Sequence, residues 1–152
     1  MRNLHNLGLF SSMGGPFDRV FFELSVIDDD LEPKTITDLV GVDATTSYKK
    51  GDETPSGSQY RKTGAWILKS GEIKLREDDF GDVIFLKWIK DLPNNNVWKE
   101  LKSKYTVELS LIGYTHQMNS DFKLTSEIMF ELSSRGLDLK IEPFLSLEDD
   151  EE

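Results

Sequence analysis

Two charged clusters in this 152-residue chain have the residue types to do chemistry. The first is Lys49-Lys50-Gly51-Asp52 with Tyr60-Arg61-Lys62, the one basic cluster in a chain of net charge −10. Cations beside a glycine turn and its backbone amides can hold an anion or a carboxylate. Lys50 and Arg61 would supply the charge, and Trp66 could line the site. The same residues also read as a turn beside a solvated strand end, with Trp66 a core anchor whose indole N–H is satisfied nearby. The second cluster is Asp28-Asp29-Asp30. Adjacent carboxylates could hold calcium, but the spaced oxygen ligands and the glycine of a calcium loop are missing, so a strand-to-helix turn is expected. Asp78-Asp79 reads in the same way as a helix cap.

Other chemistry finds little footing. His5 and His116 are far apart in sequence, and neither has a cysteine or a second histidine at ligand spacing, so no metal is expected. There is no Gly-x-Ser-x-Gly, phosphate-loop or dinucleotide fingerprint. The chain has no cysteine, which excludes disulfides and thiolate metal sites and fits a reducing compartment. The expectation is a non-enzymatic protein with no cofactor.

Charge narrows the partners. Glu148 to Glu152 are five consecutive acids, so the rest of the chain carries −10 + 5 = −5. Such a run reads as a solvated, disordered tail. The remaining acidity argues against binding a nucleic-acid backbone and is compatible with a basic protein partner. The apolar stretch from Leu7 to Phe10 is interrupted by Gly8 and too short for a secretory core, and no run is long enough to span a bilayer. The expectation is a cytoplasmic protein with no membrane partner.

The elements that would position these residues can be read from periodicity. Residues 1–17 look like a loose arm ending in Gly14-Gly15-Pro16. In residues 19–28, Val20, Phe22, Leu24 and Val26 alternate with Arg19, Phe21, Glu23, Ser25 and Ile27, which predicts a strand. Pro33 opens a short helix carrying Ile36, Leu39 and Val40, and Gly41 stops it. Residues 43–59 read as a long loop. Tyr60 to Lys69 is a second strand with Trp66 and Leu68 on one side, and Gly71 then turns the chain before a brief strand at Ile73 to Leu75. A helix follows from about Phe80 to Leu92, with Phe80, Val83, Ile84, Trp88 and Leu92 as its apolar stripe. Pro93 and Asn94 to Asn96 break it, and Val97 to Ser103 adds further helical turns. Tyr105 to Tyr114 alternates as a strand through Val107, Leu109 and Leu111. Leu124-Thr125-Ser126-Glu127 carries a capping signal for a helix that Gly136 stops. Leu137, Leu139 and Ile141 alternate as a last strand before Pro143.

The halves echo each other: strand, short helix, glycine, extended segment. The fold class is therefore α+β: a single domain over residues 18–144 with a doubled β-α-β arrangement, a mainly antiparallel sheet, helices on one face, and a ferredoxin-like outline. Residues 145–152 form the acidic tail.

Several pieces, taken in order, resemble the bacterial domain-of-unknown-function family 4279. They are Leu31-Glu32-Pro33, Val40-Gly41-Val42, Lys50-Gly51-Asp52, Gly64-Ala65-Trp66 and Gly136-Leu137-Asp138-Leu139-Lys140-Ile141. The resemblance covers roughly residues 19–144. The ending Glu142-Pro143-Phe144 departs from the family's acidic-Ile-Tyr close. Members are similar in size to immunity proteins of bacterial toxin systems. The resemblance thus implies a protein that neutralises a cognate protein toxin by occlusion. The basic cluster supplies the alternative, a small-ligand or anion-binding domain centred on Lys50, Arg61 and Trp66.

Overall fold

In residues 19–28 the alternation holds except at Ser25, which is buried as well. Val20, Phe22, Leu24 and Val26 are fully buried, while Arg19, Phe21, Glu23 and Ile27 keep partial exposure on the opposite side. This strand, β1 (Arg19–Asp28), runs through the middle of the sheet. The computed structural model describes residues 15–75 and 80–146. Most of the expected arm, His5, the Asp78-Asp79 cap and the acidic run from Glu148 lie outside the described residues.

Among the described residues the later elements are α1 (Pro33–Val40), β2 (Thr46–Tyr48), β3 (Gly64–Lys69), β4 (Ile73–Lys74), α2 (Gly81–Lys90), α3 (Val97–Lys104), β5 (Thr106–Thr115), α4 (Ser126–Arg135) and β6 (Leu139–Leu145). The sheet order is β2-β3-β1-β5-β6, with β4 also paired to β1. Every pairing is antiparallel except that of β5 with β6. The α+β class and the ferredoxin-like outline follow: β3 lies between β1 and β2, and β5 flanks β1 on its other side. The two β-α-β passages close differently. β1 and β2 are separated by β3, whereas β5 and β6 are direct parallel neighbours joined through α4.

One face of the sheet carries the core. Val20, Phe22, Leu24, Val26, Trp66, Leu109 and Leu111 meet Ile36 and Val40 of α1, Phe85 and Ile89 of α2, Trp98 and Leu101 of α3, and Ile128 and Leu132 of α4. Each such large side chain contributes roughly 1.5–3 kcal/mol by leaving water. The helix ends follow the sequence signals. Pro33 opens α1 and Gly41 closes it at φ +77°, its N–H donating to Thr37 O at 2.8 Å. Thr125 Oγ1 accepts from Ile128 N at 3.2 Å to cap α4.

Four details differ from the sequence expectation. The buried stripe of α2 is Gly81, Phe85 and Ile89, continued by Leu92, while Phe80 and Val83 are 70% and 59% exposed. With apolar residues at most positions of that helix, the pattern left its rotation open, and the i, i+4, i+8 set won. Gly71 does not reverse the chain. β4 continues along the same edge of β1 after a one-residue slip, Lys69 facing Glu23 and Ile73 facing Val20. Ser70 Oγ accepts the Phe22 N–H at 2.9 Å across that bulge, and Ser70 N donates to Phe22 O. β6 runs through Pro143 to Leu145, which an edge strand accommodates. Finally, the end of the expected arm is docked: Pro16 bridges Asp121, and Phe17 is buried with its ring against Gly113.

Candidate functional site

The basic cluster lies on a hairpin excursion rather than an open loop. β2 and β3 pair through Tyr48 and Ala65, and the ladder resumes beyond them. Gly51 N donates to Arg61 O at 2.9 Å, Arg61 N to Asp52 O at 2.8 Å, and Thr54 N to Gln59 O at 2.8 Å. Residues 43–59 therefore hold a short strand and a tied tip. Thr46-Ser47-Tyr48 has no apolar alternation to mark it, so the strand was not readable from the sequence.

The two charged clusters that looked like separate sites are each other's partners. Lys50 Nζ donates to Asp29 Oδ2 at 2.6 Å, and Lys49 Nζ lies 2.7 Å from Glu32 Oε2. Asp28 Oδ1 accepts the Asp30 N–H at 3.0 Å, closing the aspartate run as a turn. The hydrogen bond from Lys50 holds the Asp29 carboxyl below its usual range, and the same bond raises Lys50. These groups are solvent-exposed, so the pairs fix geometry more than they add stability.

Arg61 does something else. Its guanidinium carbon sits 3.9 Å from the Tyr48 ring centroid, a cation–π contact. Its Nε is buried without a hydrogen-bond partner among the described residues. Trp66 stands on the opposite side of the sheet. It is fully buried among the core residues, and its Nε1–H donates to Thr37 Oγ1 at 3.0 Å. The backbone thus brings Lys50 and Arg61 together at the base of the hairpin, with Tyr48 beneath Arg61, while the Trp66 side chain is turned away from them. His116 Nδ1 lies 2.7 Å from Asp18 Oδ2, which also accepts the His116 N–H, so this histidine ties the end of β5 to the start of β1. No group of three or more His, Cys, Asp or Glu among the described residues is placed to hold a metal ion.

The face of the sheet opposite the core is built differently. No helix among the described residues packs its core side chains there, and its rows follow from the register. Arg19 faces Tyr114, which faces Phe144; Phe21 faces Ile112; Glu23 lies between Lys69 and Ser110. The Phe21 and Tyr114 rings meet edge-to-face at 5.8 Å, Tyr114 and Phe144 stack at 5.5 Å, and the Arg19 guanidinium carbon lies 4.5 Å from the Tyr114 centroid. Phe144 remains 47% exposed. Ion pairs flank the cluster: Lys140 with Glu142 at 2.7 Å and Glu108 at 3.5 Å, and Lys69 with Glu23 at 3.9 Å. The signal for this cluster was present in the sequence, since Arg19 and Phe21 fall on the outward side of β1. Their partners, however, come from strands about a hundred residues away.

The family model for "Domain of unknown function (DUF4279)" matches residues 18–145, which span every element above. The chain belongs to the DUF4279 family. No curated protein and no solved structure matches it. Within this DUF4279 domain, the matched segment opens at Asp18, the partner of His116, and closes at Leu145, the last residue of β6. Phe144, just before the end of the matched segment, stacks on Tyr114.

Proposed function

We propose that this DUF4279 chain is a non-enzymatic binding protein, an immunity protein that neutralises a cognate bacterial toxin in the cytoplasm by covering it. The observation that carries the reading is the sheet face that no helix among the described residues covers. It presents Arg19, Phe21, Tyr114 and Phe144 as one contiguous anchor, ringed by ion pairs. Aromatic and arginine side chains at the centre of a patch with a polar rim are what protein interfaces use for most of their binding energy. The net charge of −10 favours a basic partner and speeds its approach.

The alternative, a small-ligand or anion-binding domain at Lys50, Arg61 and Trp66, is supported less. Such a site would have to form without the Trp66 indole, and Lys50 would have to give up Asp29.

Co-expression with the product of the adjacent gene tests the proposal. Rescue from that product's toxicity, with a complex that copurifies, is the expected result. Tyr114→Ala combined with Phe144→Ala should keep the circular dichroism spectrum and lose the complex. The association rate should fall steeply with added salt. A harmless neighbour, or a complex indifferent to both substitutions, would sink the reading.

A further inference from the structure

β6 is the open edge of the sheet. It runs for seven residues at one end of the order β2-β3-β1-β5-β6, whereas β2 at the other end has three. No residue of β6 is buried, and Ile141 and Leu145 are 42% and 62% exposed. A long apolar edge with unpaired backbone groups is a template for a further strand.

The register shows what this edge offers. Ser146 N donates to Thr115 O, and Thr115 faces Leu145. Backbone polar groups alternate sides along a strand, so Lys140, Glu142 and Phe144 turn theirs toward β5. Leu139, Ile141, Pro143 and Leu145 turn theirs outward, where Pro143 can accept but has no N–H to donate. The side chains alternate between faces in the same way. Leu139 and Ile141 lie level with Leu109 and Leu111 on the core side, and Lys140 and Glu142 lie level with Ser110 and Ile112 on the other.

The edge is complementary to its own reverse. An antiparallel copy related by a two-fold axis at Ile141 sets Lys140 of each chain opposite Glu142 of the other, on one face. On the other face Ile141 meets Ile141, and Leu139 meets Pro143. The two Ile141 residues exchange both backbone bonds, and each Leu139 N–H meets a Pro143 carbonyl, which asks no donor of the proline. Neighbouring axes fail. Centring on Lys140 or Glu142 sets like charges opposite, and centring on Pro143 puts two rings where the central bonds belong. A groove on the helical side, lined by Met129, Leu132, Leu137 and Leu139, borders the same edge and would be covered as well.

We infer that the protein self-associates through β6, two copies pairing antiparallel about Ile141 into one continuous sheet. The occupant of the edge is a second copy of this chain, because a two-fold interface needs a surface that matches itself and the Lys140-Ile141-Glu142 run does so in charge and in apolar contact. The inference stands without the role proposed for the aromatic face.

Sedimentation equilibrium of the full-length protein tests the inference, and a dimer is the expected species. Lys140→Glu alone and Glu142→Lys alone should each weaken it by about tenfold or more, because each sets like charges opposite. Mixing the two variants should restore it as a heterodimer, since the acids of one chain then face the lysines of the other. The chain has no cysteine, so Ile141→Cys adds a single thiol. Its Cα should lie about 5.5 Å from its counterpart, within disulfide reach. Oxidation should cross-link Ile141→Cys and spare Ser58→Cys at the hairpin tip beyond the opposite edge. Four results would overturn the inference: a monomer at about 100 μM, a dimer that both single reversals leave unchanged, a mixture no tighter than either variant alone, or Ile141→Cys cross-linking no faster than Ser58→Cys.

Discussion

The indole N–H of Trp66 on β3 donates to the hydroxyl of Thr37 on α1 at 3.0 Å, locking the first crossover helix to the strand that splits its β-α-β unit. The contact decides how Trp66 is used. A fully buried indole with its one donor satisfied is a core anchor. Trp66→Ala should cost roughly 3–5 kcal/mol in urea denaturation. Thr37→Val keeps the shape but strands the N–H, which should cost about 1–3 kcal/mol. If Thr37→Val is neutral, the hydrogen bond is incidental to the packing.

Arg135 and Glu131 form the most buried ion pair among the described residues, with side chains 3% and 16% exposed. Removing one member leaves the other uncompensated. Glu131→Ala should therefore destabilise by about 3–5 kcal/mol. Replacing both by apolar residues of similar size should cost much less than the sum of the single changes. A double-mutant cycle with no coupling would show that the guanidinium relies on the backbone carbonyls of Leu92 and Glu131.

Much of the architecture was legible because its signals are local. The apolar residues Val20, Phe22, Leu24 and Val26 of β1 and Val107, Leu109 and Leu111 of β5 recur at every second position, Pro33 and Gly41 bracket α1, and Thr125 and Gly136 bracket α4. What escaped depends on distant partners. Lys50 looked available until the fold set Asp29 against it, and Trp66 could not be assigned to a face before β3 was paired with β1. Asn95 and Asn96 looked only like a helix break, and Arg135 only like the end of a helix. They line one pocket because α3 begins beside the end of α4.

The pairing of Asp29 with Lys50 sets a pH dependence. The hydrogen bond from Lys50 lowers the Asp29 pKa below 3.8, so its contribution is present above 3.8 and lost as pH falls through the lower folded value. The bond to Asp29 raises Lys50 above 10.5, so its contribution is full below 10.5 and lost as pH rises through the folded value. Stability due to this pair should be flat across neutral pH. Following the Asp29 carboxyl by NMR, Lys50→Met should move its midpoint up toward 3.8. An unmoved midpoint would mean that the pair does not persist in solution.

Phe17 and Gly113 make the sharpest steric prediction. A Cβ added at Gly113 would lie 2.6 Å from the Phe17 ring, closer than any relaxed carbon contact. The ring is buried and part of the core cluster, so it has no open side to retreat into. Gly113→Ala should therefore displace Phe17 and cost about 1–3 kcal/mol, more than the change in strand propensity explains. Phe17→Leu should cost stability alone by leaving a gap, yet the two changes together should cost less than their sum, because the smaller side chain makes room for the methyl. Thermal melts of the two single variants and the pair measure that coupling. Strict additivity would mean that the start of the domain does not pack on β5 as described, and that Phe17 belongs to the arm that the glycine-proline boundary suggested.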